Sequence, residues 1–251
     1  GGARTALYNY LFAKKMGGSF VLRIEDTDLA RSTQASLDSL IQDLNWLGLT
    51  ADEGFSADEI GTYGPYKQSE RLDIYQQYAT QLLENGQAYY CFLTDEEIEA
   101  QRAQAKEIGA VYQIHSPYRD MPLAEAQVKL ATHPNATIRF KNTHAERTFV
   151  LEDLVRGSIQ LPGHMVGDFV IIRSDGMPVY NFCCAIDDAL MAISHVLRGE
   201  EHLSNTLRQM MIFEALALPA PQFGHLSIIL NDAHKKLSKR DGAVSSPRWA
   251  T

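Results

Sequence analysis

Three short apolar runs in this chain each break off into charge, and that repeated pattern constrains the fold more than any other feature. The run over 19–25 carries Phe20, Val21, Leu22 and Ile24 and ends among Arg23, Glu25, Asp26 and Asp28. The run over 193–198 ends in Gly199, Glu200, Glu201 and His202, and the run over 225–230 delivers a stretch with four basic residues in positions 235–240. Open α/β sheets gather their ligands at the carboxyl ends of strands, so three such ends predict one shared crevice. Helical patterns lie between the runs: 3–16, stopped by Gly17 and Gly18; 33–47, with Leu37, Leu40, Ile41, Leu44 and Leu47 as a core-facing stripe; and 69–85, closed by Gly86. A further helix starts at Ser204 or Asn205, with Met210 and Met211 read as core filler. The alternation predicts an α/β fold built on a doubly wound parallel sheet.

The pattern changes after Tyr89–Phe92. Thr94 and Glu97 form a capping box that opens a polar helix running to about Lys106, and a second helical patch covers 123–131. Short strands are expected at 137–140 and 147–151, and strands at 167–173 and 179–182 flank a hairpin turn over Ser174–Pro178. This mixed block reads as an insertion. The boundaries are residues 1–91 and 179–251 for the two halves of one domain and 92–178 for the domain inserted into it.

The formal net charge of −8 confines any nucleic-acid contact to a local basic patch. Three cysteines, two of them adjacent, make no disulfide framework and point to a reducing, cytoplasmic setting. No apolar run approaches the ~18 residues of a membrane span. The chain opens on Gly1 without a methionine, and a fragment is expected.

The chemistry suggested by these residues is anion handling. Lys236, Ser238 and Lys239 suit a loop that grips a triphosphate and neutralises charge as pyrophosphate leaves, although a solvated basic loop has the same composition. Gly1 and Gly2 open a helix whose N–H groups a nucleotide can approach, or form a simple turn. Arg198 can pair bidentately with a carboxylate, Glu25 can hold an amine, and Tyr180 can hydrogen-bond a polar substrate atom. An anion site, an amine site and a triphosphate loop together suggest adenylation of an acidic amino acid.

Five ordered motifs then become recognisable: Gly2–Asn9, Arg23–Asp28, Tyr180–Phe182 with Asp187 and Asp188, Val196–His202, and Lys236–Arg240. Together they resemble glutamyl-tRNA synthetase over nearly the whole chain, with Lys236–Arg240 similar to that family's version of the class I KMSKS loop. The resemblance implies a Rossmann-type catalytic domain with an inserted α+β domain that binds the tRNA acceptor stem. It implies ATP, Mg²⁺, L-glutamate and tRNA(Glu), and a monomer is expected. By motif, Glu25 takes the glutamate amine, Tyr180 its polar atoms and Arg198 its side-chain carboxylate. Gly1, Gly2, Glu201, His202 and Ser238 fall at ATP contacts, Lys236 and Lys239 at the transition state, and Arg31 near the tRNA end.

The sequence departs from the family in three places. Its first signature survives only as Gly1 and Gly2, without the histidine that precedes them in the family. The helical anticodon-binding domain expected after the lysine loop is missing, and residues 245–251 do not look like the family's continuation. The Cys-x-Cys pair that holds zinc in some members is reduced to Cys91 with His115 nearby, so no zinc is expected. The rival readings are a catalytically inactive paralogue that binds tRNA or a partner, and the related tRNA-modifying enzyme that attaches glutamate to a base.

Overall fold

A computed structural model of the chain describes residues 2–27, 34–55 and 61–228. In chain order the elements are α1 (Gly2–Met16), β1 (Val21–Leu22), α2 (Gln34–Trp46), β2 (Glu53–Gly54), α3 (Leu72–Glu84), β3 (Ala88–Cys91), α4 (Asp95–Glu107) and α5 (Leu123–Leu130). They continue with β4 (Thr137–Phe140), β5 (Thr148–Asp153), β6 (Gly157–Pro162), β7 (Phe169–Ile172), α6 (Tyr180–Leu190), β8 (His195–Gly199), α7 (Leu203–Ala215) and β9 (Gln222–Leu226).

Two parallel ladders carry the α/β part: β1 beside β2, and β8 beside β9 with His195 opposite Gln222 and Gly199 opposite Leu226. Leu22 approaches Gly54 so closely that a Cβ there would collide with the Leu22 carbonyl, and Gly54 meets the approach with a φ of 124°. Helix α1 joins the ladders. The Asn9 carboxamide donates to Leu197 O at 2.7 Å and accepts from Leu197 N–H at 3.3 Å, as a neighbouring strand would. One turn on, Lys14 reaches Asp52 at 2.5 Å, just ahead of β2, and Arg4 donates to the carbonyl of Ser227 beyond β9. Gly17, at φ 67°, ends the helix.

The antiparallel part holds a three-stranded sheet ordered β3-β4-β7 and a hairpin of β5 and β6. Thr94 accepts from Glu97 N–H while the Glu97 carboxylate accepts from Thr94 N–H, so the expected capping box starts α4. The strands expected at 137–140 and 147–151 appear as β4 and β5, and β6 is an element the sequence pattern did not indicate. One buried core runs through both parts, from Tyr75 and Leu82 through Ile138, Phe149 and Ile171 to Phe182, Met211 and Phe223.

Two expectations need correcting. The strand expected at 179–182 is the first turn of α6: Pro178 makes only an isolated bridge to Ile172, and the Val179 carbonyl already accepts from Phe182 and Cys183 N–H. The stripe on α2 is not core: Leu37, Ile41 and Leu44 are half-buried and Leu40 and Leu47 are exposed, because a two-stranded ladder is too narrow to cover them.

Candidate active site

A cleft of about 720 Å³ lies between α1, β1, α6 and β8. Its wall on the β1 side is set by main-chain pairing. Ile24 N–H donates to Tyr66 O and Gln68 N–H to Ile24 O, so Glu25 emerges at the end of a held strand with its side chain partly open to solvent. Opposite, β8 carries Arg198, which is buried along most of its length. From α6, Tyr180, Cys184 and Asp188 project into the same space because residues four apart share a helix face. Reading 179–182 as strand hid that spacing, and with it the roles of Cys184 and Asp188.

Charge in the cleft is organised around Arg23. Its Nη1 meets Asp188 Oδ1 at 2.7 Å, Nη2 meets Glu25 Oε1 at 3.1 Å, and Nε lies 3.8 Å from Asp187. Burial works against its charge, yet the carboxylates, Asp188 foremost, outweigh it and hold the guanidinium pKa well above the usual range. Burial pushes the Asp188 carboxyl up, with Arg23 opposing the shift. Behind it, Asp187 is fully buried and accepts from Arg71 Nε (2.7 Å), Tyr75 Oη (2.7 Å) and Gln68 Nε2 (3.0 Å). Asp26 is not among the residues that line the cleft and instead accepts from Ser69 N–H and Oγ.

Arg198 is held on one side only. Its Nη2 donates to Thr206 Oγ1 at 2.6 Å and to Gln209 Oε1 at 2.7 Å, and its guanidinium carbon sits 5.0 Å from the Phe223 ring centre. Its Nε–H is buried and has no acceptor among the described residues. Both hydrogens of Nη2 go to neutral acceptors, so the guanidinium keeps a buried positive charge that a substrate carboxylate suits. Burial raises the Tyr180 pKa, so its phenol stays protonated at neutral pH and can donate.

Glu25, Tyr180 and Arg198 therefore line one cleft. His202 adjoins it through the Tyr180 ring, 5.9 Å away, and Glu201 lies over Gly199, where any Cβ would collide with its carboxylate. Gly2 sits at the open start of α1 and does not line the cleft. Gly1, Arg31, Lys236, Ser238 and Lys239 lie outside the described residues.

Cys91 Sγ is 3.5 Å from Ser116 Oγ, and the Phe92 ring meets those of Tyr118 and His133 edge-on. Among the described residues no group of three or more His, Cys, Asp or Glu side chains is placed to hold a metal ion, and no helix is long and apolar enough to cross a membrane.

The family model for the catalytic domain of class I tRNA synthetases (E and Q) matches residues 1–249. This chain belongs to that family. The synthetase chain is 57% identical over 248 residues to a glutamate–tRNA ligase of Bdellovibrio bacteriovorus, covering 98% of this chain and 50% of the relative. A glutamate–tRNA ligase of Carboxydothermus hydrogenoformans is 50% identical over 245 residues, with coverages of 98% and 50%. Among solved structures, a glutamate tRNA ligase from Elizabethkingia meningosepticum in complex with its amino acid superposes with a TM-score of 0.88 at 40% identity, over 100% of this chain and 50% of that one. The synthetase chain thus spans about half the length of the curated relatives it matches, and its α/β part is of the Rossmann type.

Proposed function

We propose that this chain forms the part of a glutamate–tRNA ligase that activates L-glutamate with ATP and passes it to the 3′ end of tRNA(Glu). The observation that carries the reading is the pairing across one cleft of a carboxylate, Glu25, with the buried and half-satisfied guanidinium of Arg198. Glu25 takes the substrate ammonium group, Arg198 the side-chain carboxylate, and the Tyr180 hydroxyl a polar atom between them. That leaves the substrate's α-carboxylate as nucleophile. One of its oxygens attacks the α-phosphorus of ATP, the bond to the β-phosphate oxygen breaks, and pyrophosphate departs. The terminal hydroxyl of tRNA then attacks the carbonyl of the mixed anhydride and AMP leaves. No side chain acts as a nucleophile, so the protein contributes positioning and charge compensation.

Lys236, Ser238 and Lys239 take the phosphates in this reading, and Gly1, Gly2, Glu201 and His202 the rest of the nucleotide. Mg²⁺ enters with ATP as part of that substrate. Residues 1–91 and 179–251 form the catalytic domain, residues 92–178 the insertion that meets the acceptor stem, and Arg31 lies near the tRNA end. A cytoplasmic setting is inferred, supported by three free cysteines, and the chain is taken to act as a monomer. An inactive or base-modifying paralogue is the weaker reading, since the relatives described above carry the name glutamate–tRNA ligase.

The test is glutamate-dependent ATP–pyrophosphate exchange, measured with and without tRNA(Glu). Exchange that requires glutamate supports the reading, and exchange driven equally by glutamine or by no amino acid rejects it.

A further inference from the structure

Behind Arg198 runs a chain of buried polar side chains that the reaction does not call for. Thr206 Oγ1, which accepts from Arg198 Nη2, lies 2.8 Å from His225 Nε2, and His225 Nδ1 lies 2.6 Å from Asp153 Oδ2. Thr206, His225 and the Asp153 side chain are shut off from solvent. The four groups come from α7, β9, the tip of the β5–β6 hairpin and β8, so tertiary structure alone brings them together.

Proton positions in the chain follow from its donors and acceptors. Asp153 is held ionised: burial opposes the charge, but hydrogen bonds from His225 and from the Val155 and Arg156 N–H groups (2.9 Å each) outweigh it and keep its pKa below the ordinary carboxylate range. His225 therefore donates Nδ1–H to Asp153. Burial lowers the His225 pKa, with the Asp153 bond opposing, so the imidazole is neutral and Nε2 keeps its lone pair. The single Thr206 proton then has two candidate acceptors, Nε2 and the His202 carbonyl at 3.1 Å. Neutral Nε2 is the closer and can receive it. Either way the oxygen lone pairs of Thr206 are turned to Arg198. The carboxylate of Asp153 also answers the buried guanidinium charge through two neutral links.

We propose that Asp153, His225 and Thr206 are positioning residues that fix the Arg198 guanidinium for the substrate carboxylate, making the β5–β6 hairpin a determinant of glutamate affinity. The hairpin tip is anchored to do so. Leu154 N–H donates to Phe223 O at 2.9 Å, His225 N–H donates to Asp153, and Arg156 pairs with Glu200. Gly224 admits the tip, since a Cβ there would press on the side chains of Leu197, Val155 and Leu154. With Nη2 occupied by Thr206 and Gln209, the plane and direction of the guanidinium are fixed. The proposal rests on Arg198 reading the glutamate carboxylate.

Equilibrium binding of L-glutamate and of ATP to the full chain, with tRNA(Glu) present, tests both layers. Thr206→Val and His225→Asn should each weaken glutamate binding about tenfold, the scale of one lost hydrogen bond to a charged group. Thr206→Ser, which keeps the hydroxyl, should stay within about threefold, and ATP affinity should not move in any of the three. A variant that merely folded less well would lower the number of binding sites for both ligands without changing either affinity. Glutamate affinity retained in Thr206→Val and His225→Asn, while Arg198→Ala loses it, overturns the relay. Glutamate affinity retained in Arg198→Ala, or absent from the unsubstituted chain, removes the pocket assignment and the relay with it.

Discussion

Cys184 Sγ lies 3.1 Å from Glu25 Oε1, the same oxygen that accepts from Arg23 Nη2. The thiol donates to the carboxylate that faces the cleft. Burial, with the Glu25 charge next in weight, pushes the thiol pKa well up. Cys91 and Cys183 are buried as well. We expect none of the three thiols to react with a disulfide reagent in the native chain at pH 8, and all three to react once it is unfolded. Prompt native labelling of Cys184 would contradict this environment.

Arg198 is predicted to be irreplaceable by lysine. Arg198→Lys keeps the charge but loses the planar group anchored on Thr206 and Gln209, so it should weaken glutamate binding nearly as much as Arg198→Ala, by at least about 2 kcal/mol. Calorimetric titration with L-glutamate measures both, and wild-type affinity in the lysine variant would show that charge alone is read.

The Asp187 cluster should dominate stability on this side of the fold. Arg71→Ala leaves a fully buried carboxylate without its nearer ion partner, with Arg23 at 3.8 Å, and should cost about 3–5 kcal/mol, while Tyr75→Phe removes one hydrogen bond and should cost about 1–2 kcal/mol. Urea unfolding monitored by circular dichroism separates the two, and near-equal small losses would contradict the buried pair.

The His225–Asp153 pair gives stability a pH signature. His225 has a folded pKa below its ordinary 6.5, so the unfolded chain binds the proton first and stability falls as pH drops below about 6.5. Asp153 has a folded pKa below its ordinary 3.8, so its share is present above that value and is lost as pH falls through the folded one. Melting temperatures at pH 8, 6 and 5 should therefore decline in the native chain, and the decline below pH 6.5 should shrink in His225→Asn. An identical profile in both would place the titration elsewhere.

Much of this was legible in the residues. The Thr94–Glu97 box is a local contact, and the alternation along Thr148–Asp153 is burial alternating with exposure on a two-sided strand. Glu25 and Arg198 reach the cleft because each stands at a strand end that the pattern marked, whereas Tyr180 joins them from the first turn of α6, which the pattern reads as strand. The buried relay was not legible. Thr206, His225 and Asp153 carry no shared spacing, and Asp153 arrives on a hairpin whose second strand, Gly157–Pro162, buries only Leu161 fully and so lacks a readable period. Helix α6 is hidden in the sequence for a related reason: Phe182 through Asp188 are buried without a break, which erases the helical period.

The two parallel ladders have a consequence for what the cleft can measure. Glu25 follows β1 and Arg198 belongs to β8, so the groups we propose for the two ends of a substrate ride on separate sheets, tied by α1 at Asn9 and Lys14 and by the Arg23–Asp188 pair. On that proposal the gap between them is a caliper. An acid one methylene shorter, such as aspartate, is expected to bind less well than glutamate, and selection by length would follow from where the sheets stand as much as from the residues at the jaws.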